Sequence, residues 1–490
     1  GDPEPASQDL LAQSEVVTFT WPVTCTGAGE VAFLVTPSGI DENTQEQVLA
    51  DNIETGELMI MQETKSHLVA TLASSLIDDT ASTGQSFYVT ATVQNQGQAV
   101  AEEVIASLTH YTGSVELLNA PTMPTDLSLA EGETHDFVWE FRCTGPDEAT
   151  FVVTPSGIDE NTQEPVKEDN IEPGTLNVTQ ELKAHLKVEI LEPKYGQVFS
   201  SDQEFVVMTV ISNTGEADAL NVEAVLEPLV GDGVLVDGEV FTKTVPIIAG
   251  GETAIVTWTL KCTGSEQVHI EVNPYGMDEN TMRAIPAANL EGDKTIVNQE
   301  WKAYLDASIS SPTGAETLSS GQTIVVTATV ANTGEADALD TSATIMVEGA
   351  GQLASGQDPV YEIGMIAGET TSEPFSWVVE CTGSGPMTVT VTPAGVDENT
   401  EVAITPDALE AASVAVEQEL KAHLMGNVSA PGQVAVGTEF IVTANADNMG
   451  EADAEEATLT LDIEGGAVLI MGDPTQTVGL VEGGGTSSTI

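Results

Sequence analysis

The feature that most constrains this chain is a six-residue phrase that recurs at a fixed interval. GIDENT stands at 39–44 and again at 157–162. It returns as GMDENT at 276–281 and as GVDENT at 395–400, in steps of 118, 119 and 119 residues. A fixed long period means that one structural unit is copied several times. Length agrees, because 490 residues exceed what a single hydrophobic core sustains.

Three further landmarks keep the same period. A strand ends in Asn-x-Gly at Asn95, Asn213, Asn332 and Asn448. A Trp precedes a Cys-Thr-Gly by four residues at Trp21/Cys25, Trp139/Cys143, Trp258/Cys262 and Trp377/Cys381. A polar connection reads QETKSHL at 62–68, QELKAHL at 180–186, QEWKAYL at 299–305 and QELKAHL at 418–424.

Between the landmarks lie short β-branched stretches such as EFVVMTVIS and AIVTWTLKC, bounded by Gly, Pro, Asn and Asp. Seven or eight such strands per unit, and no convincing helix, predict an all-β chain of tandem immunoglobulin-like sandwiches of about 119 residues. Trp and Cys four apart on a strand share a face, so all four pairs are expected in equivalent cores. Complete units are expected at 65–182, 183–301 and 302–420. The C-terminal half of a unit precedes them at 1–64, and the N-terminal half of another follows at 421–490. The connections contain no Gly/Ser-rich spacer, which predicts a semi-rigid rod.

EFVVMTVISNTGEADALNVEAVLEP followed by AGGETAIVTW resembles the cell-adhesion-related domain found in bacteria, the CARDB family. The resemblance covers most of each repeat. It implies a surface or secreted module of bacteria or archaea and no particular ligand.

The charge narrows the partners. There are 78 acidic residues against 12 basic ones, a formal net charge of −66. Phosphate binding needs Lys and Arg, so nucleic acid is not a natural partner. A surface this acidic suits a saline or calcium-rich exterior. No apolar run is long enough for a membrane helix, and residues 1–14 have neither the basic start nor the apolar middle of a signal peptide. The expected location is extracellular or at the cell surface.

The recurring phrase admits three readings. Asp and Asn beside Gly are turn formers, their side chains capping local N–H groups. The same residues are hard oxygen ligands for calcium. The candidates are Asp41, Glu42, Asn43 and Asp51, then Asp159, Glu160, Asn161 and Asp169. Asp278, Glu279 and Asn280 follow in the third copy, and Asp397, Glu398 and Asn399 in the fourth. The acidic partner ten residues on erodes, to Ala288 in the third copy and to Asp407-Ala408 in the fourth, and the spacing is not that of an EF-hand. The third reading is an interface.

Equivalent cysteines lie a unit apart, too far for intrachain bridges. They read as buried thiols, a bridge between chains staying open. His67, His185 and His423 share a position with Tyr304, an exchange that no metal or catalytic role tolerates. No nucleophile–base arrangement is present, and no enzyme is expected. Sequons at Asn177 and Asn427 leave surface glycans as a partner class.

Repetition without a distinctive site in any copy predicts an extracellular structural protein forming a fibre, sheath or surface layer. The alternative is a spacer or binding region of a large secreted adhesin or glycosidase. The two ends hold opposite halves of a unit, overlapping by about ten residues. Either copies join head to tail, or the sequence is a window on a longer repeat chain.

Overall fold

A computed structural model describes the chain at residue 8 and over residues 10–490. Among the described residues there are strands and five short 3₁₀ turns, with no α-helix. Among the described residues no helix is long and apolar enough to cross a membrane.

The middle unit shows why these residues make a sandwich. Glu204–Asn213 and Thr253–Cys262 alternate buried and exposed positions along their length. They pair antiparallel with Val207 opposite Trp258. The first sheet runs Gly233–Leu235, Thr253–Cys262, Glu204–Asn213, Leu186–Glu192, Leu290–Glu291. The second runs Val198–Ser200, Asp293–Glu300, Val268–Asp278, Ala219–Leu226, Thr242–Ile248, with Arg283–Ala284 paired on Val268–Asp278. The opening stretch thus serves both sheets. Leu186–Glu192 lies parallel to Leu290–Glu291 in one, and Val198–Ser200 lies parallel to Asp293–Glu300 in the other.

Inward-facing side chains of the two sheets form one core. Phe205, Val207, Val256, Trp258, Leu260 and Cys262 come from one side, and Val222, Leu226, Val268, Ile270 and Val297 from the other. Trp258 is fully buried, and its indole N–H donates to the Val240 carbonyl at 3.0 Å, so its one polar atom is satisfied. Separate cores of the same design surround Trp139 and Trp377. The strands, sheets and cores make the chain all-β, with tandem immunoglobulin-like sandwiches.

The terminal segments differ. Gly29–Val35 pairs with Gly56–Gln62, and this hairpin has no facing sheet among the described residues. The last segment holds two hairpins, Leu424–Ser429 with Thr443–Asn448 and Ala454–Thr460 with Thr475–Val481. Its buried apolar cluster is only Ala454, Ala457 and Val481. Burial of all four Trp/Cys pairs therefore needs correction. Cys143, Cys262 and Cys381 are buried with their tryptophans, but Trp21 is 45% exposed and Cys25 is exposed. Residues 21–26 form no strand, and no second sheet covers Trp21 or Cys25 among the described residues. Trp21, Phe33, Leu58 and Ile60 line an open apolar trough there.

Candidate functional site at the domain junctions

The phrase GxDENT closes a tight turn in every copy. In the first, Asp41 Oδ1 accepts the N–H groups of Asn43 and Thr44 at 3.0 and 2.9 Å and the Thr44 hydroxyl at 3.2 Å. These bonds, the Thr44 N–H foremost, hold its carboxyl below the usual aspartate range. The turn reading is thus correct locally. In the other copies the aspartate does more.

Asp278 is fully buried. One side of its carboxylate takes the Thr281 N–H and hydroxyl, as Asp41 does with Thr44. The other side receives the Ala184 N–H at 3.0 Å, from the connection between two units. The hydroxyl of Ser82, in the preceding sandwich, lies 2.9 and 3.0 Å from the two oxygens. Asn280 completes the contact. Its amide donates to Ser82 Oγ at 3.2 Å and to Glu181 at 2.7 Å, and its carbonyl accepts from Gln85 at 3.1 Å.

The next junction repeats this bond for bond. Asp397 accepts Ser200 Oγ at 2.8 and 3.0 Å and the Ala303 N–H at 2.9 Å. Asn399 reaches Ser200 and Glu300, and Gln203 donates to its carbonyl. Asp159 also accepts from the connection, through the N–H and hydroxyl of Ser66 at 2.8 and 3.1 Å. Burial pushes its carboxyl up, but the N–H groups of Ser66 and Thr162 outweigh that and leave it lowered. Asn161 donates to Glu63 at 2.9 Å.

The other landmarks converge on the same place. Asn213 Oδ1 accepts the His185 N–H at 3.1 Å, and its amide donates to the carbonyls of Ala217 and Ile248. Asn95, Asn332 and Asn448 make the same bonds. The Asn reads only the backbone of residue 67, 185, 304 or 423, so Tyr fits at 304, while the rings of His67 and His185 meet Glu172 and Glu291 at 3.2 and 3.1 Å. The glycine two residues on is required by a close approach. A Cβ at Gly97, Gly215, Gly334 or Gly450 would lie 2.0–2.2 Å from the carbonyl oxygen of Lys65, Lys183, Lys302 or Lys421. The connection is thereby pressed onto the Asn-x-Gly turn.

The calcium candidates are distributed unevenly. Asp159, Asp278 and Asp397 are buried against N–H and O–H donors. Glu42, Glu160, Glu279 and Glu398 point outward, and Asp51 and Asp169 sit exposed in 3₁₀ turns. Asn170 and Asn289, the neighbours of that second position, donate to the carbonyls of Ser66 and Ala184. Asp407 lies 3.3 Å from Lys302, which also meets Asp202. No group of three or more acidic, His or Cys side chains assembles a metal site among the described residues. Repulsion does gather at one point. Partial burial, then the charges of Asp218, Glu181, Asp278 and Asp78, push the Glu279 carboxyl up.

Sequence reading missed the serine. Ser82, Ser200 and Ser319 each open a Ser-x-x-Gln turn at the repeat period, a fifth landmark.

Residues 305–403 match the model of the CARDB family. No curated protein matches the chain. Among solved structures, red sea bream transglutaminase is 12% identical, with 48% of this chain and 31% of that chain covered and a TM-score of 0.18. A variant of three titin immunoglobulin domains is 9% identical over 73% of this chain and 99% of that one, with a TM-score of 0.25. The fibronectin(III)-like modules of Clostridium thermocellum CbhA are 13% identical over 47% and 94%, with a TM-score of 0.18. The chain thus spans about a third of the transglutaminase's length. These TM-scores are too low to add to the sheet pairing. The chain is a tandem immunoglobulin-like repeat protein, with a CARDB domain at residues 305–403 and sequence-related copies of that unit on either side.

Proposed function

We propose that this chain is an extracellular structural protein that extends head to tail into a fibre, sheath or surface layer. The observation that carries the reading is the junction. The same set of Ser, Asp, Asn, Gln and Glu contacts joins successive units at Ser82/Asp278 and at Ser200/Asp397. A contact of this kind is heterologous and can be repeated without closing into a ring.

The reading is non-catalytic, and the buried carboxylates support it. Their oxygens are engaged by N–H and O–H donors rather than directed at an open cleft. The acidity asks for screening, so salt is expected to favour assembly. Calcium is proposed as a counter-ion of the outward carboxylates, Glu42, Glu160, Glu279 and Glu398.

The test is electron microscopy of the purified chain, with sodium chloride, calcium or chelator added. Ordered filaments that lengthen with salt are expected. Monodisperse rods in every condition would reject the fibre and favour a spacer within a larger secreted adhesin or glycosidase. A gain with calcium beyond equal ionic strength would assign the cation a site.

A further inference from the structure

We propose that the two internal junctions carry opposite electrostatic bias, so that salt loosens the joint at Lys302 and tightens the joint at Lys183. The bias is a property of the single chain and presupposes neither a fibre nor a spacer.

Both junctions share one latch, made of a socket and a plug. The socket is a Ser-x-x-Gln turn, a Glu and an alanine N–H, namely Ser82, Gln85, Glu181 and Ala184, or Ser200, Gln203, Glu300 and Ala303. The plug is the Asp and Asn of GxDENT. In the last segment Ala435 holds the serine's place. The two internal junctions keep every latch residue, so what separates them lies around the latch.

At the second junction Lys302 opens the connection. Its ammonium lies 3.4 Å from Asp202 in the preceding sandwich and 3.3 Å from Asp407 in the following one. Asp202 also meets Lys261 at 3.1 Å. Lys261, Asp202, Lys302 and Asp407 thus form one chain of alternating charge across the junction. Partial burial favours loss of the Lys302 proton, but Asp407 and Asp202 outweigh it and hold its pKa above the usual lysine range.

Lys183 is the same residue one period earlier. There Gly84 stands in the place of Asp202, and Ala288 in the place of Asp407. Lys183 forms no ion pair among the described residues. A Cβ on Gly84 would find Lys183 Nζ at 3.9 Å as its one neighbour within 4 Å. The ammonium is in position, and both acids are missing.

A third difference adds repulsion at the first junction. Asp78, in the preceding sandwich, stands where the second junction has Gly196. Partial burial and the charges of Asp218, Glu181, Asp278 and Asp78 push up the carboxyl of Glu279, in the following sandwich. Asp78 has φ 48°, in the left-handed region that Gly196 occupies at 76°. A carboxylate therefore sits where glycine is the easier residue. Attraction crosses one junction and repulsion the other, between groups that water reaches, so salt screens both with opposite effect.

Amide hydrogen exchange of the full chain tests this. The Ala184 and Ala303 N–H groups are matched probes, both buried and donating to the latch aspartate at 3.0 and 2.9 Å. Exchange is measured in about 0.01 M and about 1 M sodium chloride, where the Debye length is about 30 and about 3 Å. Screening of the overall charge moves both probes together, and their ratio cancels it. Protection of Ala303 relative to Ala184 should fall about three- to tenfold from low to high salt, as loss of two part-exposed ion pairs does. Lys302→Met, which keeps the apolar stem, should lower Ala303 protection at low salt and remove most of that fall. Asp78→Asn should raise Ala184 protection at low salt. Gly84→Asp with Ala288→Asp gives Lys183 the partners of Lys302 and should make Ala184 follow Ala303. Asp202, at φ 70°, shows that aspartate fits that backbone. A wild-type ratio that salt leaves unchanged would overturn the proposal, as would a fall that survives Lys302→Met and Asp78→Asn together.

Discussion

Replacing Asp278 by alanine should uncouple two sandwiches that no covalent change touches. The carboxylate receives the Ala184 N–H, the Ser82 hydroxyl and the Thr281 N–H and hydroxyl. Ser82 and Ala184 are both fully buried, so water cannot replace the lost acceptor without opening the junction. Each buried donor left without a partner costs about 1–3 kcal/mol. Removing a buried charge offsets part of that, since its desolvation and its repulsion of Glu279 both vanish. A net loss of about 2–4 kcal/mol remains, because the orphaned donors outweigh the relief. Amide hydrogen exchange of the full chain reads this directly. Protection at Ala184 and around Ser82 should fall by about 30- to 1,000-fold, at a factor of ten per 1.4 kcal/mol. Asp278→Asn should fall between, since its NH₂ opposes a donor where the carboxylate accepts one. Asp41→Ala is the control, expected to leave the single chain nearly unchanged because its bonds are local and exposed. Equal exchange in Asp278→Ala and wild type would refute the latch and return the phrase to a simple turn.

Three further outcomes follow from the burial pattern. Trp258→Ala should lower stability by about 3–5 kcal/mol in denaturant unfolding, as deletion of a large core side chain does, whereas Trp21→Ala should scarcely shift the transition of the single chain. One thiol per chain, Cys25, should react with a thiol reagent before unfolding, since Cys143, Cys262 and Cys381 are buried and burial pushes the Cys262 thiol up to about 11. Asp159 has a lowered folded pKa despite the opposing push of burial, because of the Ser66 and Thr162 bonds. Its stabilisation is therefore complete above the ordinary aspartate value of about 3.9 and is lost as pH falls through the lower folded value. Melting temperature measured across that window should fall less steeply in Asp159→Asn than in the wild type.

Much of the fold was legible because strand alternation is local. Val207, Val256, Trp258, Leu260 and Cys262 face inward as their spacing dictates. The exchange of His for Tyr at 304 leaves the Asn332 contact in place, since that contact reads only the backbone N–H. Trp21 misled for a nonlocal reason. The same sequence pattern forms no strand over 21–26, where no partner sheet meets it among the described residues. The latch was illegible for another. Ser82 lies 196 residues from Asp278, in a three-residue strand with no chemistry of its own, and only the period linking Ser82, Ser200 and Ser319 betrays it.

The junction also governs how such a gene can change length. Each plug and socket come from neighbouring copies, so recombination between repeats must keep phase. Loss or gain of one whole period reconnects a Ser-x-x-Gln turn with an aspartate, whereas an out-of-phase crossover buries a carboxylate against no donor. In-phase exchange is restricted too. A rearrangement setting Ala435 before Asp278, whose connection offers Ala184, would leave that carboxylate without a serine from either neighbour. The copies are alike in fold but not interchangeable in order.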